Sequence, residues 1–165
     1  MITKPYCYLM ARYNQWMNTR LYDVCTSISD DVLYANKGAF FGSIYLTLNH
    51  IAYSDLAFLS RFDNKPEQAP KINVDLFGDF TRLSKERVSI DERISVWADG
   101  LSEKWLEESL TYKSQVDGVV RTLPQWVLVT HMFNHQTHHR GQVTTLLSQM
   151  GLDMGSTDIP FMPWI

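Results

Sequence analysis

The sequence contains no apolar run of the about eighteen residues that a membrane span needs, and its start lacks the charged-then-apolar layout of a signal peptide. It also lacks a stripe of lysine and arginine, and its net charge is −3, which argues against a nucleic-acid surface. Repeats and low-complexity tracts are absent as well. We therefore expect a cytoplasmic protein that binds neither a membrane nor a nucleic acid.

Cysteine is scarce, since only Cys7 and Cys25 are present, and both fall in the first predicted helix. Eighteen residues of helix separate them by about 27 Å, whereas a disulfide requires Cα atoms within about 7 Å. The two cysteines therefore cannot pair with each other, and we expect buried, unreactive thiols.

Apolar residues make up 45% of the chain and recur at helical spacing in four long stretches. A chain of 165 residues is most simply one domain, residues 1–165, and can bury a core without disulfides. The predicted helices run from about Pro5 to Ser27, from the cap Ser43 to about Phe62, along the stripe from Leu83 to Leu101, and from the start signals Thr122 and Pro124 to the stop signal Gly151.

The apolar positions predict which face of each helix is buried. The second helix is apolar nearly all round, so it should be buried on most sides, with His50 pointing inward. The first and third helices are amphipathic, and Asp91 falls on the polar face of the third. The predicted buried stripes are Tyr6, Leu9, Tyr13, Trp16, Met17, Arg20 and Val24 in the first helix, and Leu83, Ile90, Ile94, Trp97 and Leu101 in the third.

The segments between the helices complete the predicted fold. Residues 63–79 are polar and hold two prolines, which indicates a crossover loop between the second and third helices. Alternating residues on either side of Asp117-Gly118 predict a β-hairpin with a tight turn at that dipeptide. We therefore predict an all-α fold, a four-helix bundle with a long crossover between helices two and three and a short β-hairpin before helix four. The proline-containing tail after Gly151, through Ile165, should be non-helical and pack on the bundle or on a partner.

Histidines interrupt the predicted seam of the fourth helix, which is formed by Leu128, Met132, His135, His139, Gln142 and Leu146. His135 and His139 are four residues apart, so their side chains lie one above the other and can converge on one ion. His131 lies about 60° and His138 about 80° away from the line of that pair. A third ligand would have to come from elsewhere, and His50 is the remaining histidine.

The pattern of these histidines is compared with three kinds of metal chemistry. Three neutral imidazoles suit zinc, nickel, copper or ferrous iron, and three protein ligands plus an open position are typical of catalytic zinc sites. A di-iron site is excluded because no histidine has a glutamate three residues before it. A metalloprotease helix is disfavoured because Gln136 replaces the glutamate that serves as the general base. Histidines that are merely hydrogen-bonded in the core remain the alternative to a metal.

Four polar residues lie next to the histidines, and the sequence allows more than one role for them. Asn49 and Asn134 each precede a candidate ligand, and each could orient that ligand or lie on the helix surface. Arg140 and Gln142 are adjacent to the site by spacing. For Arg140 we expect an ion pair at the end of the bundle or on its surface, although a substrate anchor would also suit its position.

The motifs Leu48-Asn49-His50-Ile51 and Asn134-His135-Gln136-Thr137-His138-His139-Arg140-Gly141-Gln142 resemble those of the DinB family, within the DinB/YfiT-like superfamily of metalloenzymes. The resemblance extends over essentially the whole chain. It implies an up-down-down-up bundle, often a homodimer, in which His50, His135 and His139 bind a divalent transition metal such as zinc or nickel. His131 and His138 do not correspond to ligands.

The resemblance implies a range of activities. Some members resemble metal-dependent thiol transferases or isomerases, so a metal site that activates a low-molecular-weight thiol or water against a small-molecule substrate is expected. The alternative is a non-catalytic bundle in which the metal joins helix two to helix four and the role is structural or stress-related. A coordination position left open by the protein would favour the enzyme.

Overall fold

The computed structural model describes residues 1–72 and 74–163, and it is mostly helical with a small antiparallel hairpin. In these residues the helices are α1 (Lys4–Thr26), α2 (Asp30–Tyr34), α3 (Ile44–Phe62), α4 (Phe80–Gly100), α5 (Glu103–Glu107) and α6 (Gln125–Gln149), and the strands are β1 (Ser109–Lys113) and β2 (Val120–Pro124). No helix in this part of the chain is both long enough and apolar enough to cross a membrane.

The long helices pack in pairs around one core. α1 lies chiefly against α4 and α3 chiefly against α6, while α3 also contacts α4 and α1 also contacts α6. One cluster of buried apolar side chains draws on all four of these helices. The second predicted helix corresponds to α3, and the prediction that it is buried on most sides is confirmed.

The predicted ends of the helices are confirmed where a specific residue sets them. The Ser43 hydroxyl accepts from the backbone N–H of Leu46 over 3.1 Å and so caps the start of α3. Gly151 takes a φ of +76°, the left-handed conformation that ends α6 at little cost for glycine. Pro124 precedes the first residue of α6, where its missing N–H leaves no helical bond unmade.

The hairpin forms, but its predicted turn is wrong. β1 and β2 pair in antiparallel register, with Tyr112 opposite Arg121. The loop is longer than a two-residue turn, because the Ser114 N–H donates to the Val119 carbonyl over 2.9 Å and residues 115–118 lie between them. Gly118 has a φ of +71° whereas Asp117 does not enter the left-handed region. The Asp117 carboxylate instead accepts from Arg121, which closes the loop from the side.

The predicted stripe of α1 is displaced from its true core face. Cys7, Ala11, Leu21 and Cys25 are fully buried against α4 and α6, whereas most of the predicted stripe is only half-buried. Burial raises the pKa of the Cys7 thiol to about 11 and that of Cys25 to about 12. Both thiols are free, as predicted.

The half-buried face of α1 receives the C-terminal tail. The Tyr13 hydroxyl donates to the Thr157 carbonyl over 2.7 Å, and the Arg20 guanidinium donates to the carbonyls of Met154 and Ser156. The tail therefore packs on the helices, as predicted, and its only departure from an irregular path in the described residues is a short 3-10 turn at Ile159–Phe161. Trp164 and Ile165 lie outside the described residues.

The buried face of α6 is also displaced, by about one residue. Gln136, Arg140, Val143 and Leu147 are buried, while the predicted seam residues His135, Gln142 and Leu146 are half-buried. The expectation that Arg140 would lie at the surface or the bundle end is wrong, since its side chain is 3% exposed. The helix is buried on two sides because α3 and α1 both contact it.

Candidate metal centre

Three histidines from two helices meet at one point. α3 supplies His50 and α6 supplies His135 and His139, whose four-residue spacing places both rings on the side that faces α3. The Nε2 atoms of His50 and His135 are 3.0 Å apart, and the ring of His139 lies 4.8 Å from that of His50 and 4.3 Å from that of His135, centre to centre. One ligand atom from each residue lies within 4.8 Å of the others.

The cluster keeps its imidazoles neutral. Burial, with the neighbouring His139 ring, lowers the pKa of His50 to about 4. Burial and the surrounding imidazoles lower the pKa of His135 to about 3, and burial also lowers the pKa of His139. A metal binds the unprotonated imidazole, so the lowered pKa values favour the binding form of all three rings at neutral pH.

Gln142 orients one of the rings. Its side-chain Oε1 lies 2.8 Å from Nδ1 of His139. Because an amide oxygen can only accept, the proton of His139 resides on Nδ1 and the lone pair of Nε2 is left for a ligand. This is the arrangement by which outer polar groups hold metal-binding histidines in proteins. The Nδ1 atom of His135, in contrast, is buried without a hydrogen-bond partner.

Phe41 covers the cluster on one side. Its ring stacks on that of His50 at 3.9 Å between centres and meets that of His139 edge-on at 5.3 Å. It belongs to the loop between α2 and α3, where no periodic pattern marks it as a core residue. Sequence reasoning missed Phe41 for that reason, although its position two residues before the helix cap Ser43 was visible.

Asn49 holds the crossover loop and does not contact the neighbouring ring. Its amide donates to the Val74 carbonyl and its side-chain oxygen accepts from the Leu76 N–H, both over 3.0 Å. The loop is thereby fixed one residue away from His50. Asn134, the equivalent residue in α6, is exposed.

The two remaining histidines lie outside the cluster. His131 is exposed, with its ring 5.5 Å from that of Phe58 and 5.9 Å from that of His135. His138 is exposed; its ring lies 4.8 Å from that of His139, centre to centre, and its Nε2 lies 3.4 Å from the Gln142 amide nitrogen, but it is not one of the three converging ligands. The helical angles that separate His131 and His138 from the line of His135 and His139 therefore agree with the positions of these side chains.

Two cavities reach the histidines. One, of about 130 Å³, lies between Phe41, His50 and the crossover loop at Asp75. The other, of about 240 Å³, runs from His50 and His135 along α3 and α6 toward the hairpin. We name the second one the inner cavity. Small molecules could approach the cluster through it.

The donor set suits a transition metal. Nitrogen ligands of one tetrahedral zinc ion are about 3.3 Å apart, which is close to the spacing of His50 and His135. In the described residues the cluster contains three candidate ligands and no cysteine, aspartate or glutamate completes it. Such a set would hold an ion while leaving room for a further ligand.

A polar network lies directly beneath the cluster. Gln136 donates to one oxygen of the Asp55 carboxylate over 2.7 Å, and Arg87 contacts the other over 2.6 Å. Arg87 also pairs with Asp91 at 2.9 Å, so the predicted polar face of α4 is wrong at Asp91, which is 3% exposed. Burial raises the pKa of the Asp91 carboxyl to about 6, although the Arg87 charge opposes this.

The network also reaches α1 and a second residue of α6, Arg140. Asn14 and Asn18 donate to the Asp91 carboxylate over 3.1 and 2.9 Å, and Arg140 donates to the Asn14 side-chain oxygen. Two arginines and two aspartates make the network neutral overall, and this charge balance lowers the free-energy cost of burying the four ions. The network joins α1, α3, α4 and α6 through side chains that alternate with the histidines along α6.

Comparison with known proteins gives a consistent result. A protein-family model described as "DinB family" matches residues 1–165. "Protein DinB" of Bacillus subtilis (strain 168) is 24% identical over 166 aligned positions, which cover 93% of this chain and 91% of that protein.

Proposed function

We propose, for a chain that belongs to the DinB family, that it is a metal-dependent enzyme in which His50, His135 and His139 hold a divalent transition metal, zinc or nickel. The reaction is the activation of a small thiol or of water against an electrophilic small molecule. When bound, such a metal supplies a Lewis acid that lowers the pKa of a thiol or water ligand.

The observation that carries the proposal is the incomplete ligand set beside a cavity. Three neutral imidazoles converge, no fourth protein ligand closes the set in the described residues, and the inner cavity opens onto His50 and His135. A purely structural metal site generally fills all four positions with protein ligands. The geometry therefore favours a catalytic role over the alternative of a metal that only joins α3 to α6.

Three residues around the cluster have different roles in the proposed site. Gln142 keeps the His139 proton on Nδ1 and so directs Nε2 inward. Phe41 shields the rings of His50 and His139 from water on the loop side. Tyr53 lines both cavities, and its hydroxyl donates to Gln115 over 3.2 Å, which connects α3 to the hairpin loop. Substrate binding is thereby restricted to the open side of the cluster.

Further features belong to the same proposal. We propose a single domain, residues 1–165, in which α1, α3, α4 and α6 form an up-down-down-up four-helix bundle; their pairwise contacts support it. We also propose a homodimer that acts in the cytoplasm, in keeping with the family resemblance and the lack of a membrane-spanning helix in the described residues.

Metal content is the first test. Protein purified without an affinity tag should contain close to one zinc or nickel ion per chain by elemental analysis. The His135→Ala, His139→Ala double variant should lose it, and the matched control His138→Ala, on the same helix but outside the cluster, should retain it. Metal-free wild type that is more stable than the double variant would mean that the histidines serve the fold and hold no metal.

Activity is the second test. Metal-loaded wild type should consume a small thiol together with an electrophile from a panel, and His50→Ala should not. A panel without any metal-dependent thiol or water reaction, combined with stoichiometric metal and a large loss of thermal stability on its removal, would favour the non-catalytic alternative.

A further inference from the structure

Arg61 is held between two aromatic rings near the end of α3. Its guanidinium carbon lies 5.2 Å from the ring centre of Phe58 and 5.1 Å from that of Tyr112, which belongs to β1. Contacts of this kind attract a cation and fix its position without neutralising its charge. The side chain is half-buried, so the guanidinium is both ordered and reachable.

No carboxylate lies within 4.0 Å of the Arg61 guanidinium in the described part of the chain. Acidic residues of the neighbouring segments already face other arginines, since Asp63 lies 4.0 Å from Arg93 and Asp117 pairs with Arg121 at 2.5 Å. Burial lowers the pKa of Arg61, which shows that water solvates its charge incompletely. An anion placed here would be attracted without displacing a protein partner.

Arg61 stands where two spaces meet. It lines the inner cavity, which also touches His50 and His135, and it lines a larger cleft of about 810 Å³ between the crossover loop and the hairpin. Lys71 and Lys113 line that outer cleft, and among the described residues neither space is lined by aspartate or glutamate. The route to the histidines is therefore cationic in a protein whose net charge is −3, which favours entry of anions.

We infer that Arg61 binds an anionic group, most simply a carboxylate, of the molecule that occupies the inner cavity and reaches the histidine cluster. This inference rests on the proposed function and names the class of its substrate: a small molecule with a reactive end and an acidic end. Eleven residues of helix place the Cα atoms of His50 and Arg61 about 16 Å apart. Both side chains lean toward the N-terminus of α3, but the longer arginine reaches farther, so the guanidinium and the cluster are separated by roughly 10 Å.

Length-matched thiols test the inference directly. Cobalt-substituted protein is titrated with 8-mercaptooctanoate and with 8-mercapto-1-octanol, and the thiolate-to-cobalt absorption band reports binding. In wild type the acid should bind about tenfold more tightly than the alcohol, as expected for one hydrogen bond to a charged group. The much shorter 3-mercaptopropionate should show no advantage over 3-mercapto-1-propanol, since it cannot span the distance.

Variants locate the effect at Arg61. Arg61→Met keeps the apolar packing on Phe58 and Tyr112 and should abolish the preference for the acid, while Arg61→Lys should restore part of it. Arg93→Met, which removes an exposed arginine outside both spaces, is the matched control and should behave as wild type. Equal affinities of the acid and the alcohol in wild type would overturn the inference, as would an undiminished preference in a folded Arg61→Met protein.

Octanoate, which carries no thiol, distinguishes the source of the carboxylate. If octanoate strengthens the binding of 2-mercaptoethanol, the carboxylate at Arg61 belongs to the electrophilic substrate. If octanoate binds weakly while 8-mercaptooctanoate binds tightly, the carboxylate belongs to the thiol. If no thiol produces the cobalt band but octanoate still binds in an Arg61-dependent manner by NMR, thiol activation fails and the anion site stands.

Discussion

The Gln136 amide donates to the Asp55 carboxylate over 2.7 Å, a buried bond between α6 and α3 that lies one residue from His135. The same carboxylate receives Arg87 of α4. The backbone that carries the two α6 histidines is therefore fixed relative to the backbone that carries His50 by charges and not by apolar packing alone. We therefore expect the ring positions in the cluster to depend on that bond.

Removing the Asp55 carboxylate should be costly. In Asp55→Ala the buried Arg87 keeps only Asp91 as a counter-charge, so the free energy of unfolding should fall by about 3–5 kcal/mol. Urea denaturation followed by circular dichroism measures the change. Asp63→Ala, at the exposed end of the same helix, serves as the control and should change stability by less than about 1 kcal/mol. Equal effects of the two substitutions would show that the buried pair is not a stabilising contact.

Loss of Gln142 should weaken metal binding with little effect on the fold. Gln142→Ala frees Nδ1 of His139, so the ring can rotate and its proton can move to the ligand nitrogen. Affinity for zinc should fall about 10–100-fold, as for other residues that orient ligands, and competition with a fluorescent chelator would measure it. Gln149→Ala, exposed at the end of the same helix, should bind zinc like wild type. An unchanged affinity in Gln142→Ala would mean that His139 needs no orienting partner.

Acid should destabilise the metal-free protein through the cluster. The folded-state pKa values of His50 and His135, about 4 and about 3, lie below the ordinary value of 6.5, so the unfolded chain binds more protons between these limits. The stabilising contribution of the neutral rings is complete above about pH 6.5 and is lost as the pH falls through the folded values. Metal-free wild type should take up about two more protons on unfolding near pH 5 than the His50→Gln, His135→Gln variant.

The difference in proton uptake is obtained from the pH dependence of the free energy of unfolding, measured by urea denaturation of the two proteins. Groups they share, including Asp91 with its raised pKa, cancel in the comparison. Parallel curves between about pH 7 and pH 4.5 would show that the histidines ionise as freely in the folded protein as in the unfolded chain.

Both native cysteines should resist thiol reagents. Burial raises the pKa of Cys7 and Cys25 to about 11 and about 12, and neither side chain is accessible in the folded protein. Reaction with a chromogenic disulfide should be negligible in native buffer and should reach both thiols in guanidinium. A Ser27→Cys variant, exposed at the end of the same helix, should react at once. Rapid labelling of native wild type would contradict the burial.

The sequence was most informative where one residue sets a local conformation. Ser43 and Gly151 mark helix ends through a hydroxyl cap and a left-handed backbone, and both effects act within a few residues. The convergence of His135 with His139 follows from helical geometry alone. Elimination among the histidines indicated His50 as the third ligand, and the family resemblance agreed. The spacing itself could not show the contact between α3 and α6 that brings His50 to the pair.

The buried polar network could not be predicted in the same way. Arg140 and Asp91 are charged residues that the sequence indicated as exposed, and nothing local distinguishes a buried charged residue from one on a solvated face. Pairing partners separated by many residues, such as Arg140 with Asn14, become visible only when the helices are placed. The prediction of a tight turn at Asp117 was wrong for a different, local reason: the Asp117 carboxylate pairs with Arg121, four residues further along in β2, within a longer loop.

The polar network has a consequence for how the chain folds. Its members are drawn from positions 14 and 18, 55, 87 and 91, and 136 and 140, so no two helices alone contain a complete set of partners. A half-assembled intermediate would have to bury some of these charged and polar groups with an incomplete set of partners, which is unfavourable. Such an intermediate should be scarcely populated, and the four helices should assemble and come apart in a single cooperative transition.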